Sequence, residues 1–150
     1  MKRRHFLKGS LGVAAALTAP GLLAPVAVWS AWPQQAFLSG EVNAALGALI
    51  GPVEIIPDPR VTLDVPDFAE NGAVVRVVLG TRLQGADSFI LVSEPNPFPL
   101  IAHFHLTPRS RGPITTRIRM GGSGDVIAIV RAGGRYYGAR RHVRVAAGGC

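Results

Sequence analysis

Two hydrophobic rhythms divide the chain at Pro52. Between Phe37 and Ile50 the apolar residues Phe37, Leu38, Val42, Ala45, Leu46, Leu49 and Ile50 recur at intervals of three and four. That spacing predicts one amphipathic helix, with Ser39 as its N-cap and Gly51-Pro52 as its stop. Beyond Pro52, short β-branched runs alternate with turn residues. They predict strands over 60–65, 73–79, 88–92, 101–106, 114–120, 126–131 and 136–145. Asn71-Gly72 and Gly133-Gly134 carry the signal of tight hairpin turns, which need positive φ. Pro95-Asn96-Pro97-Phe98-Pro99 cannot lie inside a central strand and predicts a connecting loop. Short strands at this spacing point to an all-β, immunoglobulin-like antiparallel β-sandwich, with the helix packed at one end.

The N-terminal segment follows neither rhythm. Met1-Lys2-Arg3-Arg4-His5-Phe6-Leu7-Lys8 precedes a mild apolar run from Leu11 to Val28. Adjacent Arg3 and Arg4 before such a run match a twin-arginine export signal. A spanning helix is disfavoured, because Gly12, Pro20, Gly21 and Pro25 interrupt it. Cleavage is expected after Ser30, or one residue later at Ala31. The expected organisation is a signal over 1–30, a helix and linker over 31–59, a sandwich over 60–145 and an arm over 146–150. The mature chain is expected in the periplasm, without stable membrane insertion. Twin-arginine export carries folded proteins, so a partner exported with this one is expected.

Removing the signal changes the charge. The whole chain carries 16 Lys and Arg against 9 Asp and Glu, a formal +7. Four of those bases and none of the acids lie in the signal, leaving 12 against 9, a net +3, with every remaining base an arginine. Export, modest charge and the lack of aromatic–basic interleaving exclude nucleic-acid binding. No haem-attachment cysteine pair, zinc spacing or phosphate-cradling loop occurs, so no cofactor is expected. Scattered acids near turns and the lack of a Ser-His-Asp arrangement argue against an enzyme.

Three groups of residues carry candidate chemistry. Cys150 is the only cysteine and stands behind Gly148 and Gly149, so an intramolecular disulfide is impossible. A thiol on a glycine hinge suits a carrier arm that enters the clefts of other proteins. Ala146 to Cys150 would extend at most ~17 Å at ~3.4 Å per residue. With Cys150 as the last residue, its own α-carboxylate opposes thiolate formation, so activation is expected from the receiving site. An incidental tail residue and an intermolecular disulfide remain as alternatives, which would make the protein a binding or assembly module.

The second group is the last strand, where Arg140, His142 and Arg144 alternate with Arg141, Val143 and Val145. This basic stripe is either a solvated edge or an anion-steering surface leading to the arm. The third is His103 and His105, which a strand places on one face. Two such histidines can begin a metal site, but no third ligand is identifiable, so no metal is expected and the pair reads as an exposed or interface face.

An ordered set of segments resembles the SoxY family, the sulfur-carrying subunit of the SoxYZ thiosulfate-oxidation carrier. The set comprises Val61-Thr62-Leu63-Asp64-Val65-Pro66, Ala69-Glu70-Asn71-Gly72-Ala73-Val74-Val75 and Pro95-Asn96-Pro97-Phe98-Pro99-Leu100. It continues through Thr115-Thr116-Arg117-Ile118-Arg119-Met120, Asp125-Val126-Ile127-Ala128-Ile129-Val130 and Arg131-Ala132-Gly133-Gly134-Arg135-Tyr136-Tyr137 to the terminal Gly-Gly-Cys. The resemblance covers Phe37 to Cys150. It implies a non-enzymatic carrier with Cys150 as the sulfur attachment site and Gly148 and Gly149 as its hinge. It also implies a heterodimer with a SoxZ-like subunit. A SoxAX-like cytochrome would join thiosulfate to the cysteine, and a SoxB-like hydrolase would release sulfate. Family members typically end Gly-Gly-Cys-Gly-Gly, and this sequence departs from that pattern by stopping at the cysteine.

Overall fold

The computed structural model describes residues 32–110 and 112–146, so Arg3, Arg4, Gly148, Gly149 and Cys150 lie outside the described residues. All elements fall in the compact unit Pro33–Cys150. In chain order they are α1 (Gln34–Phe37), α2 (Val42–Ile50), β1 (Ile55–Pro57), β2 (Val61–Asp64), β3 (Phe68–Ala69), β4 (Val75–Thr81), β5 (Ala86–Ser93), β6 (Leu100–His105), β7 (Ile114–Ile118), β8 (Gly124–Ala132) and β9 (Arg135–Val145).

The expected single helix is two helices. α1 ends at Phe37 and α2 begins after Glu41, which occupies the N-cap without a side-chain hydrogen bond. Ser39 is therefore not the cap, because Gly40 and the extended Glu41 backbone interrupt the helical path. Gly51 does end α2, at φ 78°.

The strands form two sheets. One runs β1-β9-β8-β5-β6 with β3 attached to β9, and the other runs β2-β4-β7. β1 and β3 pair with β9 in parallel, while the remaining pairs are antiparallel. Neither short strand has enough residues for an alternation to show in sequence. Gly133 and Gly134, at φ 57° and 76°, make the β8–β9 hairpin turn as expected. Asn71-Gly72 does not make a hairpin. It turns the chain from β3, in the larger sheet, to β4, in the smaller, with Asn71 Oδ1 accepting from Ala73 N at 2.8 Å.

The larger sheet is buried on both faces, which explains the unbroken apolar run of β8. Val126, Ala128 and Val130 point between the sheets with Val75, Val77, Leu79, Phe89, Leu91 and Val143. Ile127 and Ile129 point the other way and pack with Ile90, Val92, Ala36, Ala45 and Leu46. The helical segment thus covers the outer face of the sheet rather than one end of the sandwich. A side chain such as Ile129, wholly buried there, contributes roughly 1.5–3 kcal/mol by leaving water.

Candidate functional site: the stem of the C-terminal arm

The site is built where β9 leaves the sandwich. The β8–β9 ladder ends at Gly124 opposite Val143, and the preceding residue, Ser123, replaces the missing rungs with its side chain. Val145 N donates to Ser123 Oγ at 2.9 Å, and the same hydroxyl donates to Val145 O at 3.4 Å. The opposite edge of β9 is held by the segment around β3. Arg144 N donates to Asp67 O, and Ala146 N donates to Ala69 O, each at 3.0 Å. Backbone donors alternate sides along a strand, so residues 144–146 are tied on both edges.

The connections beneath the stem are fastened to one another. Asn96, in the proline-rich loop, donates through Nδ2 to Arg119 O and accepts at Oδ1 from Gly121 N, both at 2.8 Å. Next to them, Met120 N donates to Gly72 O at 2.7 Å. Gly72 is required by close approach. A Cβ there would lie 2.7 Å from Met120 O and 2.8 Å from a methyl of Val145. Phe98 projects from the same loop, 53% exposed, and with Asn96, Pro97, Arg119 and Gly121 lines a depression of about 410 Å³. The end of β9 is therefore hydrogen-bonded on both edges, and it carries two exposed aromatic rings, Phe98 and Phe68, the latter opposite Arg144 in the β3–β9 pairing.

The basic stripe is largely compensated. Arg140 lies 2.9 Å from Asp125 Oδ2 and 3.2 Å from Glu94 Oε1, and His142 Nδ1–H donates to Asp125 Oδ1 at 2.7 Å. The His142 hydrogen bond, then that of Arg140, holds the Asp125 carboxyl below its usual range. Arg144 has no acidic partner among the described residues. Within the stripe, the uncompensated charge is therefore that of Arg144.

His103 and His105 share a face of the edge strand β6, with ring centroids 4.2 Å apart. Burial, followed by the neighbouring His105 and Arg131 charges, pushes His103 below the ordinary imidazole value. Among the described residues no three His, Cys, Asp or Glu side chains are grouped to hold a metal.

The histidine pair and the basic stripe do not converge. The stripe leads to the stem, while the histidines stand on the sheet edge. Ser123, Asn96 and the Asp67–Ala69 segment are contributors that the sequence reading missed. Ser123 sits in Gly-Gly-Ser-Gly, which signals only a turn, and the two-residue β3 has no periodicity to detect.

The family model described as sulfur oxidation protein SoxY matches residues 46–150. The twin-arginine translocation signal model matches residues 1–20, so the chain is exported by that route to the periplasm. No helix among the described residues is long and apolar enough to cross a membrane. No curated protein matches the chain. A solved structure of the sulfur carrier protein SoxY from Chlorobium limicola f. thiosulfatophilum is 31% identical, with a TM-score of 0.64 over 71% of this chain and 97% of that one. A superoxide reductase (neelaredoxin) from Ignicoccus hospitalis is 18% identical, with a TM-score of 0.48 over 71% and 93% of the two chains.

Proposed function

The chain belongs to the SoxY family, a family of sulfur carriers, and on that premise we propose that it holds sulfur covalently on Cys150 and presents it to Sox-type enzymes. The supporting observation is the stem. β9 is fastened through Ala146 by Ala69 and Ser123, directly before the sequence Ala147-Gly148-Gly149-Cys150. A firm stem with a short glycine hinge beyond it limits the entropy lost when a receiving enzyme holds the thiol.

Loading forms one S–S bond. The Cys150 thiol loses its proton, thiosulfate attaches through its terminal sulfur, and two electrons pass to a SoxAX-like cytochrome. Water then cleaves the bond to the sulfonate group at a SoxB-like hydrolase, which releases sulfate and leaves a persulfide on the cysteine. The carrier supplies no catalytic group to either step. It supplies the thiol, the reach and the docking face, in a heterodimer with a SoxZ-like subunit. Thiolate formation is left to the receiving site, because an unperturbed thiol with a pKa near 8.5 is mostly protonated at neutral pH.

Replacing Cys150 with serine tests the reading. The variant should keep its fold and its association with the SoxZ-like subunit while losing thiosulfate-dependent electron delivery to the cytochrome. Undiminished turnover by the serine variant would overturn the assignment of Cys150.

A further inference from the structure

At the end of β9 opposite the arm, three arginines surround a depression of about 500 Å³. Arg60, Arg82 and Arg135 line it, with Gln84 on the rim and Leu83 and Tyr137 also lining it. Arg60 immediately precedes β2 and Arg82 immediately follows β4, and the two are tied together, since Arg82 N donates to Arg60 O at 2.9 Å. Arg60 is fixed in place. Its Nε and Nη2 donate to Asp58 at 3.0 and 2.7 Å, and its guanidinium lies 5.9 Å from the centroid of the Tyr137 ring. Arg82 and Arg135 have no acidic partner among the described residues. Three guanidinium groups therefore share one carboxylate, and the excess positive charge is unanswered among the described residues.

We infer that this depression binds a small tetrahedral oxyanion of the sulfate or thiosulfate type. Guanidinium forks match the spacing of oxyanion oxygens, and they are weakly hydrated enough to give up water for them. The depression has room for such an anion together with bridging waters. Its apolar surfaces at Tyr137 and Leu83 reduce the competing solvation on one side. β9 has 11 residues, so the depression stands about 33 Å from the stem at ~3.3 Å per residue. It is an accessory binding site rather than the attachment point.

The inference does not depend on Cys150, so its test is separate from that of the carrier reading. The mature protein is titrated with sodium sulfate, and separately with sodium thiosulfate, against sodium chloride at equal ionic strength. Arginine Nε–H and backbone amide signals are followed by NMR. Saturable shifts confined to Arg60, Arg82, Arg135 and the Gly133-Gly134 turn are expected with the oxyanions and not with chloride. The Arg82→Gln/Arg135→Gln double variant should weaken them about tenfold or more, while Arg76→Gln leaves them unchanged. Non-saturating shifts spread over all arginines would overturn the inference, as would equal binding by the double variant. Binding of an oligoglutamate peptide without any response to the free anions would assign the site to an acidic protein surface instead.

Discussion

Ser123 Oγ accepts a hydrogen bond from Val145 N at 2.9 Å, and this contact ties the end of β9 to the residue before β8. Ala146 N is bound to Ala69 O at 3.0 Å on the other edge, and Ala147 to Cys150 follow in the sequence. Four residues extend at most about 14 Å, a few ångström less than the ~17 Å expected from the sequence when Ala146 is counted in the arm. In the proposed carrier, the receiving site lies within that distance of the sandwich surface.

Ser123→Ala removes the side chain that completes the β8–β9 ladder. The hydroxyl is exposed, so global stability should fall by only about 1 kcal/mol. Amide exchange at Val145 should accelerate about fivefold or more relative to β8, measured by hydrogen exchange and NMR. Unchanged protection at Val145 would show that the stem does not depend on this contact.

Gly72→Ala places a methyl group 2.7 Å from Met120 O and 2.8 Å from Val145 Cγ1. A backbone carbonyl cannot swing aside as a flexible side chain does, so the turn and stem must separate. A loss of about 1–3 kcal/mol is expected in urea unfolding. Gly47→Ala in α2, where the added Cβ meets nothing within 4 Å, should be neutral or mildly stabilising.

Ile129→Ala opens a cavity under α2 on the outer face of the larger sheet. Ile129 is fully buried and packs in the same cluster as Ala45 and Leu46. The expected loss is about 2–5 kcal/mol by chemical denaturation. Sulfur loading per folded molecule should not change, because the residue is far from the stem.

Asp58 has its carboxyl pulled from 3.8 to about 2, first by the hydrogen bond from the Arg60 side chain and then by that from its backbone. A depressed carboxylate contributes stability above its unfolded value near 4, which is lost as pH falls toward about 2. An NMR titration should give Asp58 a midpoint near 2, rising in Arg60→Ala but staying below the ordinary range, because the backbone N–H of residue 60 still donates to the carboxylate. Asp125 should move upward in His142→Ala for the same reason, since the His142 hydrogen bond is the largest cause of its depression.

The elements with a long enough alternation were legible in the sequence. The seven principal strands, the Gly133-Gly134 hairpin, the proline-rich loop and the stop at Gly51 all follow from local patterns. The break between α1 and α2 was not legible, because Leu38 and Val42 continue the helical spacing across an extended Glu41. Nor were β1 and β3, whose parallel pairing to β9 is a long-range choice that so few residues cannot announce. The compensation of the basic stripe was equally hidden, since Asp125 lies 17 residues from His142 and meets it only through strand register. The contacts of Ser123 and Ala69 at the end of β9 were not legible either, because they join residues more than 20 and more than 70 positions apart in the chain.

Intact-mass spectrometry of the protein taken from its own periplasm, with and without reductant, tests the carrier assignment most directly. The account predicts reductant-sensitive mass additions matching sulfur, sulfite or thiosulfate, mapped by fragmentation to Cys150 and lost in Cys150→Ser. A uniformly free thiol during active thiosulfate oxidation, or only a disulfide-linked homodimer, would contradict it.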